Sequence, residues 1–222
     1  MTATCVSAIK GTLFRLIKLD QCGVPVTGAS GAVVTSAGFI AIKPSPQYEE
    51  GTEFIQKLAN GALCVNQKDA PTLKRVALDI SVCTMDPDMI VMVTGSRLIT
   101  NGATGTGVFF NDAINLARVS MEVWQQVAGR ASCINGLQQY IYWAFANAGH
   151  GMVGDWSIEN GVLNFDLKME TDEAYPSWGT LPTATPPTGY LNSQTFQVGD
   201  HYAYNVTTTA PPVAGCGAVT LV

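Results

Sequence analysis

Between Thr72 and Gly95 the hydrophobic period of the chain changes, and that change constrains the fold more than any other feature. Val76, Leu78, Ile80 and Val82 point one way, while Arg75, Asp79 and Ser81 point the other. Side chains in a strand change face at each residue, so this is a strand with one buried face. At Asp86-Pro87 the alternation stops. Asp86 suits the cap of a helix start and Pro87 the first helical position, where no donor is needed. Asp88 favours the positive end of the helix dipole. The apolar run Met89 to Val93 follows, and Gly95 is placed to end it in a left-handed cap. A helix over residues 86–95 is too short to survive alone in water and must lie against a sheet. The expectation is a core strand running into one short helix that plugs a face of a β domain.

A chain of 222 residues can bury its core in a single domain. Only 13% of it is charged, against about 25% in an average globular chain, while 47% is hydrophobic. That balance is the reverse of disorder, and it suggests a surface covered in part by other subunits. The net charge of −5 argues against a general nucleic-acid coat, which needs clustered Lys and Arg. It leaves room for a wall along which nucleic acid slides without sticking. No apolar run reaches the ~18–20 residues of a membrane span. The start, MTATCVSAIKGT, lacks the basic and apolar regions of a signal peptide. A soluble chain made in the cytoplasm, with no membrane partner, is therefore expected. Cys5, Cys22, Cys64, Cys83, Cys133 and Cys216 form no CxxC pair, and the two histidines lie far apart. No metal site is expected from this spacing, and the thiols read as reduced and mostly in apolar surroundings.

In chain order, residues 1–11 read as an N-terminal arm and 12–170 as the β core with its helix. Residues 171–222 read as a Pro/Thr-rich C-terminal arm with a strand near 194–206. Within the core, Thr12–Leu19 is apolar on both faces, as when a second layer covers it. Val33–Lys43 reads as one strand kinked at Gly38, with a corner at Pro44-Ser45-Pro46. Asn60-Gly61 and Asn160-Gly161 each carry the strongest short hairpin signal. Val119, Met121 and Val123 alternate with Arg118, Ser120 and Glu122, and Leu137–Phe145 places Ile141, Trp143 and Phe145 opposite Tyr140 and Tyr142. Residues 100–107 (TNGATGTG) read as a flexible loop, and 111–116 as a helical turn.

Chemistry is hard to find in this sequence. His150, in a loop-like Gly-rich setting, and His201 are the only imidazole bases, and no G-x-S-x-G elbow accompanies them. Gly102 to Gly107 lacks the Lys-Ser/Thr ending of a phosphate loop. Glu49, Glu50 and Glu53 lack the frame of a calcium loop and read as a solvated edge. Tyr140, Tyr142, Trp143, Phe145 and Trp156 could form a sugar platform, but the strand pattern favours core packing. No catalytic, cofactor-binding or metal-binding residue is assigned, no cofactor is expected, and the chain is not expected to be an enzyme.

Several stretches in a fixed order resemble the major tail tube proteins of long-tailed bacteriophages, above all those of phages infecting actinobacteria. They are PSPQYEEG at 44–51, CVNQ at 64–67, the strand Leu73–Cys83 followed by Asp86-Pro87, Thr94-Gly95, YWAF at 142–145, and APPVAGCG at 210–217. The resemblance implies a mainly β fold, a β-sandwich or barrel with one flanking helix and extended arms, stacked in six-fold rings. It implies a β-hairpin surface that joins neighbours into a continuous barrel around a channel for DNA ejection. The implied partners are other copies of the chain, the tape-measure protein, the tail tip, the tail terminator and transiently the passing DNA, with the virion tail as location. Asp79, Glu122, Asp166 and Glu170 are the candidate channel acids because they lie on polar strand faces, with a solvated outer face as the equal alternative for each. A tail terminator, neck or head-decoration protein is the alternative, followed by a carbohydrate-binding β-sandwich.

Overall fold

The computed structural model describes residues 5–29, 31–112, 114–128, 136–156, 160–161, 164–174 and 195–221, with the backbone alone at 133–134. The described residues are mainly β, with one short helix. In order it forms β1 (Ala8–Leu19), β2 (Val33–Ser36), β3 (Phe39–Glu49), β4 (Glu53–Lys57), β5 (Leu63–Lys68) and β6 (Thr72–Val82). Then come α1 (Pro87–Thr94), β7 (Arg97–Asn101), β8 (Thr104–Phe109), β9 (Arg118–Val127), β10 (Cys133–Ile134) and β11 (Leu137–Gln138). The last strands are β12 (Tyr140–Val153), β13 (Phe165–Thr171) and β14 (Tyr202–Thr207). The large sheet runs β2-β1-β9-β12-β13-β6-β3, all antiparallel. β12 is long enough to hold two strands end to end on one side: β14 along Tyr140–Phe145 and β13 from Ala148 onward.

The two halves of the sheet differ in what covers them. On β6 and β13, Val76, Leu78, Ile80, Phe165, Leu167 and Met169 enter the main core and the alternate residues face out. β1, β9 and β12 are buried on both faces. Phe14, Leu16, Met121 and Phe145 join the main core, while Leu13, Trp124, Tyr142 and Ala146 form a second cluster with Ala174 and Phe196. The two-sided apolar pattern of Thr12–Leu19 therefore has a second layer to match it. The sheet curls enough for Phe39 of β3 to meet Phe14 of β1 edge-on at 5.6 Å. Among the described residues, no ladder joins β3 to β1 or β2.

The helix takes the place its sequence dictates. The Asp86 carboxylate accepts the Asp88 N–H at 3.0 Å, Pro87 opens the helix, and Gly95 closes it at φ 68°. Met89, Ile90, Met92 and Val93 are buried in the main core. Its C-terminal end is fixed by Asn115, whose Nδ2 donates to the carbonyls of Val93 (2.9 Å) and Gly151 (2.7 Å). This satisfies a carbonyl that a helix end otherwise leaves without a partner. Helix and sheet meet so closely there that a Cβ on Gly151 would lie 2.1 Å from the Val93 carbonyl oxygen.

Several expectations are corrected. Val33–Lys43 is not one kinked strand: β2 pairs with β1 and β3 with β6, and the chain changes partner around Gly38. Pro44 and Pro46 make no corner, because they lie within β3, which has a ladder on one side only and so tolerates a missing donor on the other. Residues 100–107 are no flexible loop but most of the β7–β8 hairpin, turned at Gly102 with φ 63°. The strand β1 begins at Ala8, inside the expected N-terminal arm. No helical turn occurs among the described residues of 111–116. The strand expected near 194–206 is β14, at 202–207. The described part of the expected C-terminal arm is bound to its own chain. Gly217 and Ala218 donate their N–H groups to Asp86 and Asp88, Val219 bridges Val33, and Gly28 donates to the Leu221 carbonyl. Residues 175–194 lie outside the described set, as do the Trp156-to-Phe165 positions 157–159 and 162–163 that flank the second Asn-Gly.

Gly151→Ala should lower stability by about 1–3 kcal/mol through overpacking. In a chain of this size each kcal/mol moves Tm by roughly 2–4 °C. Gly161→Ala, where a Cβ would meet nothing within 4 Å, is the control and should leave the thermal melt in place.

Candidate assembly interface

Past the edge of the large sheet, the β3–β6 ladder continues as a two-stranded ribbon formed by β4 and β5. The junction is tight: Asp69 donates its N–H to the Thr52 carbonyl, and a Cβ on Gly51 would sit 2.1 Å from the Asp69 carbonyl oxygen. Every residue of β4 and β5 is exposed. A soluble ribbon would carry polar side chains, yet Phe54, Ile55, Leu58, Leu63 and Val65 are 43–56% exposed. The Asn60-Gly61 signal located this hairpin. What the sequence pattern did not disclose is that FIQKL puts apolar residues on both faces of a ribbon that no other described element covers.

The second feature is a groove of about 340 Å³ at the open side of the main core. Phe39, Ile40, Ile42 and Pro44 of β3 form one wall, and Trp143 and Phe145 of β12 the other. The floor is held in place by the Trp143 indole N–H, which donates to Gln125 Oε1 at 2.8 Å. An aromatic row continues the floor onto β14: Tyr204 packs on Trp143 (centroids 5.2 Å apart) and Tyr202 on Phe145 (5.8 Å). Tyr204 remains 65% exposed and Ile40 55%. The strand pattern assigned Trp143 and Phe145 to core packing and gave no sign of the groove, whose Ile40 wall and Tyr204 extension come from segments distant in sequence.

The third feature is the outward face of β3, β6 and β13, where the candidate channel acids are held in charge-balanced rungs. Asp79 is in register with Lys43 on one side and Lys168 on the other. Glu170 pairs with Arg75, and Asp166 accepts the Ser81 hydroxyl at 2.6 Å. Glu122 does not belong with them. It is wholly buried on the far face of β9, paired with the equally buried Arg15 of β1, and it accepts the Tyr142 hydroxyl at 2.6 Å. The Arg15 guanidinium lies 5.4 Å above the Trp124 ring. Alternation alone placed Glu122 on a polar face, but a second layer covers that face.

The remaining candidates are dispersed. His150 is exposed, in β12 rather than a loop, with φ 55°. His201 is buried, its Nδ1 3.0 Å from the Thr171 hydroxyl, which also accepts the Val76 N–H. That arrangement ties the end of β13 to the start of β14. Glu50 accepts Lys68 Nζ at 2.6 Å in solvent. Among the described residues, no cluster of His, Cys, Asp or Glu could hold a metal ion. The five cysteines whose side chains are described are free and exposed, not set in apolar surroundings. Of the aromatic residues considered for a sugar platform, Tyr142 and Phe145 are buried and Trp143 lies against Tyr204, while Trp156 is half-exposed beside Phe165. No known family model matches this chain, and no curated protein matches it in sequence.

Glu122→Ala should cost about 3–5 kcal/mol, because it leaves a buried guanidinium without its counter-charge. The double change Arg15→Met, Glu122→Leu should recover most of that loss. Asp79→Ala, at an exposed position, should stay within about 0.5 kcal/mol of the parent. Urea unfolding followed by tryptophan fluorescence measures all three.

Proposed function

We propose that the chain is a structural subunit that polymerises with itself, and that the polymer is the tail tube of a long-tailed phage, the channel for DNA delivery. The observation that carries self-assembly is the β4–β5 ribbon with its exposed apolar side chains. An isolated two-stranded hairpin is marginal in water, and one coated with apolar groups is an aggregation hazard unless a partner covers it. A protein that extends such a ribbon has a use for it outside its own core.

The tube reading adds the sequence resemblance and two physical points. The ribbon and the groove lie in different places on the molecule, and a contact between unlike patches is head-to-tail, closing into rings or propagating as a filament. The outward face of β3, β6 and β13 also suits a channel wall. With each acid set beside a base or a hydroxyl, it presents neither the cationic patches that hold phosphates nor a strong repulsive field. In this reading the curled sheet is the sandwich or barrel of the tail-tube fold, and the tape-measure, tail-tip and terminator proteins are its partners in the virion.

Negative-stain microscopy of the purified protein at rising concentration should show hollow tubes of uniform width. Phe54→Asp combined with Val65→Asp should abolish them while changing the melting temperature by less than about 2 °C, as expected for exposed positions. A single ring that never stacks would redirect the reading to a terminator or neck protein. A strict monomer, even with tail-tip complex added as a nucleus, would refute self-assembly.

A further inference from the structure

The ribbon has two unlike faces. Directly opposed residues share a face, so Phe54 lies beside Gln67 and Gln56 beside Val65 on a side without charge. Glu53 lies opposite Lys68 and Ile55 opposite Asn66, and Lys57 shares this second side by alternation. Charge is therefore confined to one face of a ribbon that has no core of its own. The groove between β3 and β12 is its match in chemistry: among the described residues that line it none is charged, and the one amide, Gln125, is held by Trp143.

Resting on the self-assembly reading above, we propose that the uncharged face of the β4–β5 ribbon seats in the β3–β12 groove of a second copy of this chain, with Phe54 as the inserted side chain. A second copy is required because the ribbon cannot reach its own groove. β3 forms the groove wall from Phe39 to Pro44 and then runs on as the stem of the ribbon. At about 3.3 Å per residue, extended chain separates Phe54 from that wall by about 30 Å. The absence of charge on both surfaces is the complementarity that selects the occupant. A charged peptide or nucleic acid would leave its charges desolvated in such a groove. Gln56 and Gln67 on the ribbon can meet Gln125, while Glu53, Lys57 and Lys68 stay in solvent. Each copy then offers one ribbon and one groove, so the contact repeats head-to-tail, closing into a ring or propagating as a filament.

The test places the photo-reactive residue benzoylphenylalanine at position 54 of the full chain, irradiates the assembled protein and maps the cross-linked peptides. Cross-links between copies to residues 39–44 and 143–145 are expected. Ile40→Asp, at an exposed position of the groove wall, should reduce their yield by about tenfold or more, because it presses a charge into an apolar contact. As a second measurement, Phe54→Asp protein (intact groove) mixed with Ile40→Asp protein (intact ribbon) should give dimers and nothing larger by sedimentation. Cross-links to another surface of a neighbouring copy, or an Ile40→Asp protein that cross-links as the parent does, would overturn the groove assignment and leave self-assembly standing. A parent chain that never associates would instead remove the reading on which the assignment rests.

Discussion

A ribbon of two strands has no interior, and this constraint governs the account of the molecule. Each strand presents both of its faces, and without a third strand or a covering layer every apolar side chain on it stays wet. In β4, β5 and the turn between them the chain keeps Phe54, Ile55, Leu58, Leu63 and Val65 in that position. Elsewhere it treats apolar surface differently. β1, β9 and β12 are covered on both faces, α1 closes the main core, and the segment from Gly215 to Leu221 is stitched across β2 and the start of the helix. No such cover lies over the β4–β5 ribbon among the described residues, and its wet apolar side chains point outside the molecule.

The ribbon grows out of the body through the β3–β6 ladder. β6 is the central member: its apolar residues enter the main core, its polar face carries the paired charges, and its N-terminal half forms the stem of the ribbon with β3. The turn that follows β6 leads directly into α1, which Asn115 ties to β12. Strand, plug and ribbon thus share one support. The buried Arg15–Glu122 pair with Tyr142 joins β1, β9 and β12 across the other face. Such pairs rarely add net stability, but breaking one is costly.

Much of this was legible in the sequence where local rules act alone. The caps of the helix at Asp86 and Gly95, the alternation of β6 and the hairpin at Asn60-Gly61 depend on neighbours a few residues away, and each is found as read. The β7–β8 hairpin was missed although the same Asn-Gly dipeptide sits at 101–102, because the surrounding glycines and threonines suggested a loop. Glu122 was misplaced for a different reason. Period-two alternation reports that a residue points away from the main core, but not whether a second layer waits there. The groove was invisible because it draws on β3 at one edge of the large sheet and on β9 and β12 further along it, segments far apart in sequence.

Whether the ribbon is complete only when another copy covers it can be read from amide hydrogen exchange. Exchange would be followed by mass spectrometry on the full chain, first dilute and then concentrated into the assembled state. Peptides spanning 53–68 should exchange rapidly in dilute protein and become protected on assembly, while those of β6, β9 and β12 should be protected throughout. Ribbon peptides already protected in dilute monomer, or still exchanging freely in the assembled state, would contradict it.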